Sequence, residues 1–196
     1  MRYEVEIKIA LDGPAALRAR LAEQGAVYAG RAFEINRLFD TPAGALRHAG
    51  CALRIRTSRP CGADGVAQPE GLGRATLTFK GAATGGALRQ REEIETGLDD
   101  AEAAAAILAR LGFCEAVLYE KRRETWRLAG CEIAIDELPR LGWFAEIEAG
   151  EAAAVEPMRR RLQLERHQAA GETYVHMTVT HGTATAAGGH ELRFPE

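Results

Sequence analysis

A chain of 196 residues with 25 Lys and Arg against 28 Asp and Glu carries a formal net charge of −3. That balance excludes the overall basic footprint of a nucleic-acid-binding protein. The length suits one domain, with or without a short appendage, and is enough to bury a real core. Cys51, Cys61, Cys114 and Cys131 form no Cys-x-x-Cys pair and no zinc-spaced set with histidine, so they read as plain thiols in a reducing compartment. No apolar run approaches membrane-spanning length, and Arg2-Tyr3-Glu4-Val5-Glu6 holds no leader-like apolar segment. No membrane partner and a cytoplasmic location are therefore expected.

In chain order, Tyr3 to Ala10 alternates charged and apolar residues with period two, which predicts a strand. Asp12-Gly13-Pro14 predicts a helix start, with Asp12 as its cap and Gly25 as its end. A strand over Val27–Phe39, a short helical turn over Ala43–Gly50 and a strand over Cys51–Thr57 follow. Pro60–Gly73 has the Gly, Pro and Ala content of an exposed loop. Strands are expected over Arg74–Lys80 and Leu88–Thr96, then an Ala-rich helix capped at Asp99-Asp100 and ending at Gly112. Ala129-Gly130 reads as the turn of a hairpin between Val117–Leu128 and Cys131–Leu138. Trp143–Ala149 completes the strands and Glu151–Leu164 reads as a helix. Residues 1–177 thus form one domain, and 178–196, rich in Thr, Ala, Gly and His, are expected to lack fixed structure. With no β-α-β-α alternation, the fold class is α+β, an antiparallel sheet closed into a barrel with a few flanking helices.

The two faces of each strand sort the charges. Glu4, Glu6 and Lys8 share a face against Val5, Ile7 and Ile9. Arg54 and Arg56 share one, as do Thr76, Thr78 and Lys80, Arg91, Glu93 and Glu95, Lys121 and Arg123, and Glu146 and Glu148; Asp136 lies opposite Ile133 and Ile135. One charged strand face alone is ordinarily a solvated surface. Charges paired at i, i+2 on most strands, with helices available to cover the apolar faces, predict a barrel with its charges inside. Such a lumen holds unpaired charges at several kcal/mol each unless a ligand neutralises them. A triphosphate suits the arginine forks and lysines, and Glu-x-Glu pairs supply hard oxygens for Mg²⁺ or Mn²⁺.

These residues resemble the CYTH, or triphosphate tunnel metalloenzyme, superfamily. Glu4-Val5-Glu6-Ile7-Lys8 is similar to its N-terminal signature. Phe39-Asp40-Thr41-Pro42, Leu53-Arg54-Ile55-Arg56, Thr78-Phe79-Lys80, Arg91-Glu92-Glu93-Ile94-Glu95, Lys121-Arg122-Arg123, Asp136 and Leu141–Glu148 follow in the family's order, over roughly residues 1–176. The compact order is most similar to the class IV adenylate cyclase-like branch, although many relatives carry Tyr where this chain has Leu38. The resemblance implies an eight-stranded antiparallel tunnel and divalent-metal-dependent chemistry on triphosphates. It implies Glu4, Glu6, Glu146 and Glu148 as metal ligands, with Asp136 ligating metal or orienting a cation. Lys8, Arg54, Arg56, Lys80, Arg91, Lys121 and Arg123 would hold phosphates, with Lys8, Glu4 and Glu6 catalytic.

Three readings stand at this point. A metal-dependent triphosphatase, acting on inorganic triphosphate, thiamine triphosphate or ATP, needs only water as nucleophile. A class IV-type adenylate cyclase needs in addition a nucleoside pocket, which the residues do not reveal. A non-catalytic polyphosphate-binding module needs cations but not paired carboxylates. A homodimer is compatible with any of them, and Arg159 reads as a solvated arginine outside the lumen.

Overall fold

The computed structural model describes residues 2–62, 73–84 and 88–195, except the side chains of Arg2, Tyr3 and Glu4. Most of the loop expected over Pro60–Gly73 falls outside them. Eight main strands run β1 Arg2–Leu11, β2 Val27–Asp40, β3 Ala52–Pro60, β4 Arg74–Lys80, β5 Arg89–Leu98, β6 Cys114–Leu128, β7 Cys131–Leu138 and β8 Gly142–Ala149. The helices are α1 Ala15–Glu23, α2 Ala45–His48, α3 Ala101–Arg110, α4 Ala152–Arg161 and α5 Tyr174–His181. Short strands β9 Thr183–Ala184 and β10 His190–Leu192 end the chain.

The strand order is β2-β3-β4-β5-β1-β8-β7-β6, and β6 pairs back onto β2 from Val27↔Arg127 to Asp40↔Cys114. The ring is closed and antiparallel, which removes the free edges of an open sheet. Ala129 and Gly130 both take positive φ, 48° and 81°, the geometry of a tight hairpin turn between β6 and β7. Asp100 caps α3 by accepting from the Ala103 amide at 2.8 Å.

Two hydrophobic clusters lie outside the ring, and a third gathers Leu38, Tyr119 and Phe144 of the inner face around Tyr174 and Met177 of α5 and Leu192 of β10. Ile7, Ile9, Ile133, Ile135 and Ile147 point outward onto Leu17 and Leu21 of α1 and Val155 and Met158 of α4. On the other flank Phe39 and Ile55 meet Ala105 and Leu108 of α3. With these apolar faces turned to helices, period-two alternation puts the charged faces inward; Ile94 on the outer face of β5 stays exposed. No helix among the described residues is long and apolar enough to cross a membrane.

Two expectations are corrected. The cap of α1 is Pro14, already helical at φ −83°, and no side chain caps that helix; the preset φ of proline starts the first turn without Asp12. The tail expected to lack structure from residue 178 instead finishes α5 and adds β10 in parallel to Val117–Tyr119 of β6. β10 occupies the length of β6 that β7 leaves unpaired, since β7 pairs with β6 only from Arg122 onward. Leu192 is 0 % exposed. The glycines that lower its sequence complexity serve close packing: a Cβ on Gly182 would collide with the carbonyl oxygens of Thr178 and Glu191.

Candidate functional site

The barrel encloses a cavity of about 270 Å³ whose wall includes Glu6, Lys8, Arg54, Arg56, Lys80, Arg91, Lys121, Arg123, Glu146 and Glu148, all on lumen-facing positions. Glu93 and Glu95 line it as well. Glu4 lies opposite Arg91 in the β1–β5 register, but its side chain is outside the described residues. Asp136 sits behind the wall, 0 % exposed. The structure adds Glu132, Tyr119, Thr173 and Tyr174 to the lining, and Glu34, Asn36 and Thr78 as buried polar supports.

The charges form linked networks. Asp136 accepts from Arg123 Nε at 2.7 Å, Arg123 Nη2 at 2.6 Å, Lys121 Nζ at 3.2 Å and the Tyr174 hydroxyl at 2.9 Å. Arg123 also contacts Glu146, which pairs with Lys8 at 3.1 Å. Across the lumen Glu34 bridges Arg56 at 3.3 Å and Lys121 at 3.4 Å, and Arg56 Nε donates to Asn36 Oδ1 at 2.9 Å. Arg54 Nη2 donates to Thr78 Oγ1 at 3.3 Å, and Thr78 donates to Glu95 at 2.7 Å. Lys80 pairs with Glu93, and Arg91 with Glu6 at 3.0 Å.

Burial would raise the Glu34 carboxyl, but Arg56, Lys121 and Arg123 outweigh it and hold it well below the carboxylate range. Glu146 likewise stays ionised, because Arg123 and Lys8 overcome its burial. On the cationic side the balance divides: burial would lower Arg56 and Arg123, but Glu34 for the one and Asp136 with Glu146 for the other outweigh it and leave both raised, whereas Arg54 and Lys121 are lowered. Burial and the Arg56 charge lower Arg54. Burial and Arg123 push Lys121 down to about 8, despite its contacts with Asp136 and Glu34. The Arg54 Nε is buried with no hydrogen-bond partner. Part of the cationic wall is thus under-neutralised, and a further anion is what would relieve it.

Lys121 gives a pH prediction. Its folded value lies below the ordinary 10.5, so between about 8 and 10.5 the unfolded chain binds the extra proton, and this group's contribution to stability rises with pH. Anion binding has the opposite sign, because it needs the ammonium. Triphosphate affinity is expected to fall as pH rises through about 8, and Lys121→Arg to remove that limb. A calorimetric pH series checks both; a flat profile from pH 7 to 9.5 contradicts them.

Carboxylates suited to a divalent cation lie at one level. Glu6 on β1 is opposite Glu148 on β8, which is opposite Glu132 on β7. Their oxygens are hard donors of the kind Mg²⁺ and Mn²⁺ take. Among the described residues no three Asp, Glu, His or Cys side chains converge into a ready-made metal site. Glu6 is held by Arg91, while Glu146 and Asp136 are held by lysine and arginine. The donor set fits such a cation in chemistry, once Arg91 releases Glu6.

The Asp40 of the Phe39-Asp40-Thr41-Pro42 block has a structural role: it accepts from the amides of Thr41, Leu46 and Arg47 at 2.7, 2.9 and 3.0 Å, fixing α2. Arg159, expected to be solvated, donates to the carbonyls of Leu164, Glu165 and His167 beyond the end of α4.

Known proteins resemble this chain in sequence or in fold. MJ0240 of Methanocaldococcus jannaschii, whose name assigns it provisionally to the adenylate cyclases, is 30 % identical over 145 residues, 74 % of this chain and 75 % of its own. The PH1819 protein from Pyrococcus horikoshii superposes with a TM-score of 0.76 at 26 % identity, over 90 % of this chain and 98 % of that one. HpAC1 from Hippeastrum shares the fold, with a TM-score of 0.64 at 19 % identity over 87 % and 92 %. The CYTH domain model matches residues 2–173, nearly the whole ring with its inward charges, and the chain belongs to the CYTH domain family.

Proposed function

We propose that this protein is a divalent-metal-dependent enzyme that hydrolyses a phosphoanhydride bond of a triphosphate held in the tunnel. The observation that carries the reading is the under-neutralised wall: seven basic side chains line one cavity, with Arg54 Nε unpartnered and Lys121 pushed to about 8. Arg54 and Arg56 offer forks to phosphate oxygens, and Lys8, Lys80, Arg91, Lys121 and Arg123 add charge where it spreads in the transition state. Asp136 orients Lys121 and Arg123. The oxygen of a water attacks the terminal phosphorus, and the bridging oxygen leaves with diphosphate. Glu6 and Glu148, with Glu4 two positions before Glu6, would hold Mg²⁺ or Mn²⁺, which would supply Lewis-acid charge on the phosphate oxygens.

HpAC1, which carries a cyclase name, is described as having a dominant triphosphatase activity; that agrees with hydrolysis here. The second reading, cyclisation of ATP, is favoured by Leu38, Ala52 and Val175, which put apolar surface in the same cavity, and by the name of MJ0240. A binding module has no use for paired carboxylates.

One assay panel decides. Inorganic triphosphate, thiamine triphosphate and ATP are each incubated with Mg²⁺ or Mn²⁺, and phosphate, pyrophosphate and cyclic AMP are scored. Phosphate release that chelation abolishes is the expected result. Cyclic AMP with stoichiometric pyrophosphate replaces hydrolysis by cyclisation, and no product from any substrate overturns the enzymatic reading.

A further inference from the structure

Tyr174 lies one residue beyond the stretch that the CYTH domain model matches, which ends at Thr173. It is nonetheless at the centre of the cationic wall, 4 % exposed. Lys8 Nζ is 3.6 Å from the centroid of its ring, well inside cation–π range. Its hydroxyl donates at 2.9 Å to Asp136 Oδ2, the oxygen that Lys121 and Arg123 Nη2 also use. One side chain therefore touches both the lysine that pairs with Glu146 and the carboxylate that holds the other two cations.

The chain holds this ring in place from before and behind. The Ala170 amide donates to the Lys8 carbonyl at 2.8 Å, and Ala169 bridges to Ile9. Arg89 donates to the Gly171 carbonyl. Thr173 accepts from the His176 amide at 3.1 Å and starts α5 at Tyr174 itself. Phe144 and Tyr119 pack on the ring at 5.6 and 6.0 Å between centroids. A residue with only a packing task would need no hydroxyl here. Burial, with Asp136 next, raises the phenol well above its ordinary value, so the hydroxyl remains a donor.

We propose that Tyr174 is a positioning residue of the triphosphate site: its ring fixes the Lys8 ammonium and its hydroxyl fixes Asp136, so that residues beyond the family match complete the cationic wall. The inference rests on the triphosphate reading above. A free lysine has four rotatable bonds and loses entropy when it grips a phosphate; one already held against a ring face loses less. The ring thus acts through Lys8 and the hydroxyl through Lys121 and Arg123.

The test is calorimetric titration of inorganic triphosphate into the full chain at one salt concentration. Tyr174→Phe keeps the ring and loses the hydroxyl; its affinity is expected to fall about fivefold, in the range of a lost hydrogen bond to a charged group felt indirectly. Tyr174→Leu is expected to weaken binding about thirtyfold, the size of a desolvated cation–π contact. In a Lys8→Met background the same Leu substitution should cost only about fivefold, the share of the hydroxyl, because the ring's ammonium partner is already gone. Melting curves of each variant keep folding separate from binding. Wild-type affinity in Tyr174→Phe and Tyr174→Leu, or an equal cost of Tyr174→Leu in both backgrounds, overturns the positioning role while leaving the triphosphate reading intact. A wild-type chain that binds no triphosphate overturns both.

Discussion

Asp136→Asn is expected to destabilise the fold by about 3–5 kcal/mol, the cost of removing one partner from a buried ion pair. The side chain is 0 % exposed and accepts from Arg123, Lys121 and Tyr174. Asparagine has the same shape, but one of its two terminal groups becomes a donor facing donors. Two cations would then be buried against a neutral amide, with Glu146 and Glu34 as their remaining counter-charges. For a chain of this length that corresponds to a fall in Tm on the order of 10 °C. Inorganic triphosphate should recover part of the loss, since it binds only the folded state and brings negative charge to the same wall. Adding Lys121→Met should also recover part, because it removes one stranded cation. Thermal denaturation of the single and double variants measures this, and a single variant melting within about 2 °C of wild type would mean the network is not holding the barrel wall.

Arg54→Lys is expected to weaken triphosphate binding by about 1–3 kcal/mol, the worth of a hydrogen bond to a charged group, while the charge itself is unchanged. The loss should exceed that of Arg56→Lys. Arg54 has a buried Nε with no partner, and its Nη2 makes long contacts to Thr78 at 3.3 Å and Glu95 at 3.9 Å, whereas Arg56 already donates to Asn36 at 2.9 Å and pairs with Glu34 at 3.3 Å. A lysine at either position presents a point charge instead of a planar fork. The surface control is Arg160→Lys, exposed on α4, where exposed charges contribute about 0–1 kcal/mol. Arg159 is unsuitable, since its guanidinium ties three carbonyls beyond the helix end. If all three variants bind alike, Arg54 and Arg56 do not meet the ligand.

The strands and the inward charges were legible because both signals are local. Alternation along Glu4–Ile9, Leu53–Arg56 and Ala145–Glu148 assigns each side chain to a face, and the apolar face must go to the helices. Glu34 and Asn36 carried the same alternation within Phe33–Arg37, but they stand alone rather than as a charge pair. Their partners Arg56 and Lys121 come from other strands through the register of β2. Glu132 was legible in principle, four residues before Asp136 on the same face. Tyr174 was not: it enters the lumen because residues 169–171 are tied to β1 and β5, and no periodicity encodes that contact. The tail was misread for a related reason. Its order comes from pairing with β6 across some seventy residues of sequence, as in Leu192↔Tyr119, and composition alone carries no sign of a distant partner.

The central claim is that the lumen is a cradle for triphosphate, and titration of inorganic triphosphate into the wild-type chain tests it most directly. The account predicts saturable binding at one site per chain, weaker at higher salt and weaker above about pH 8 as Lys121 loses its proton. Pyrophosphate should bind more weakly, because it spans fewer of the basic side chains. No saturable heat with millimolar triphosphate at low salt and pH 7, from a chain that melts cooperatively, would contradict the account.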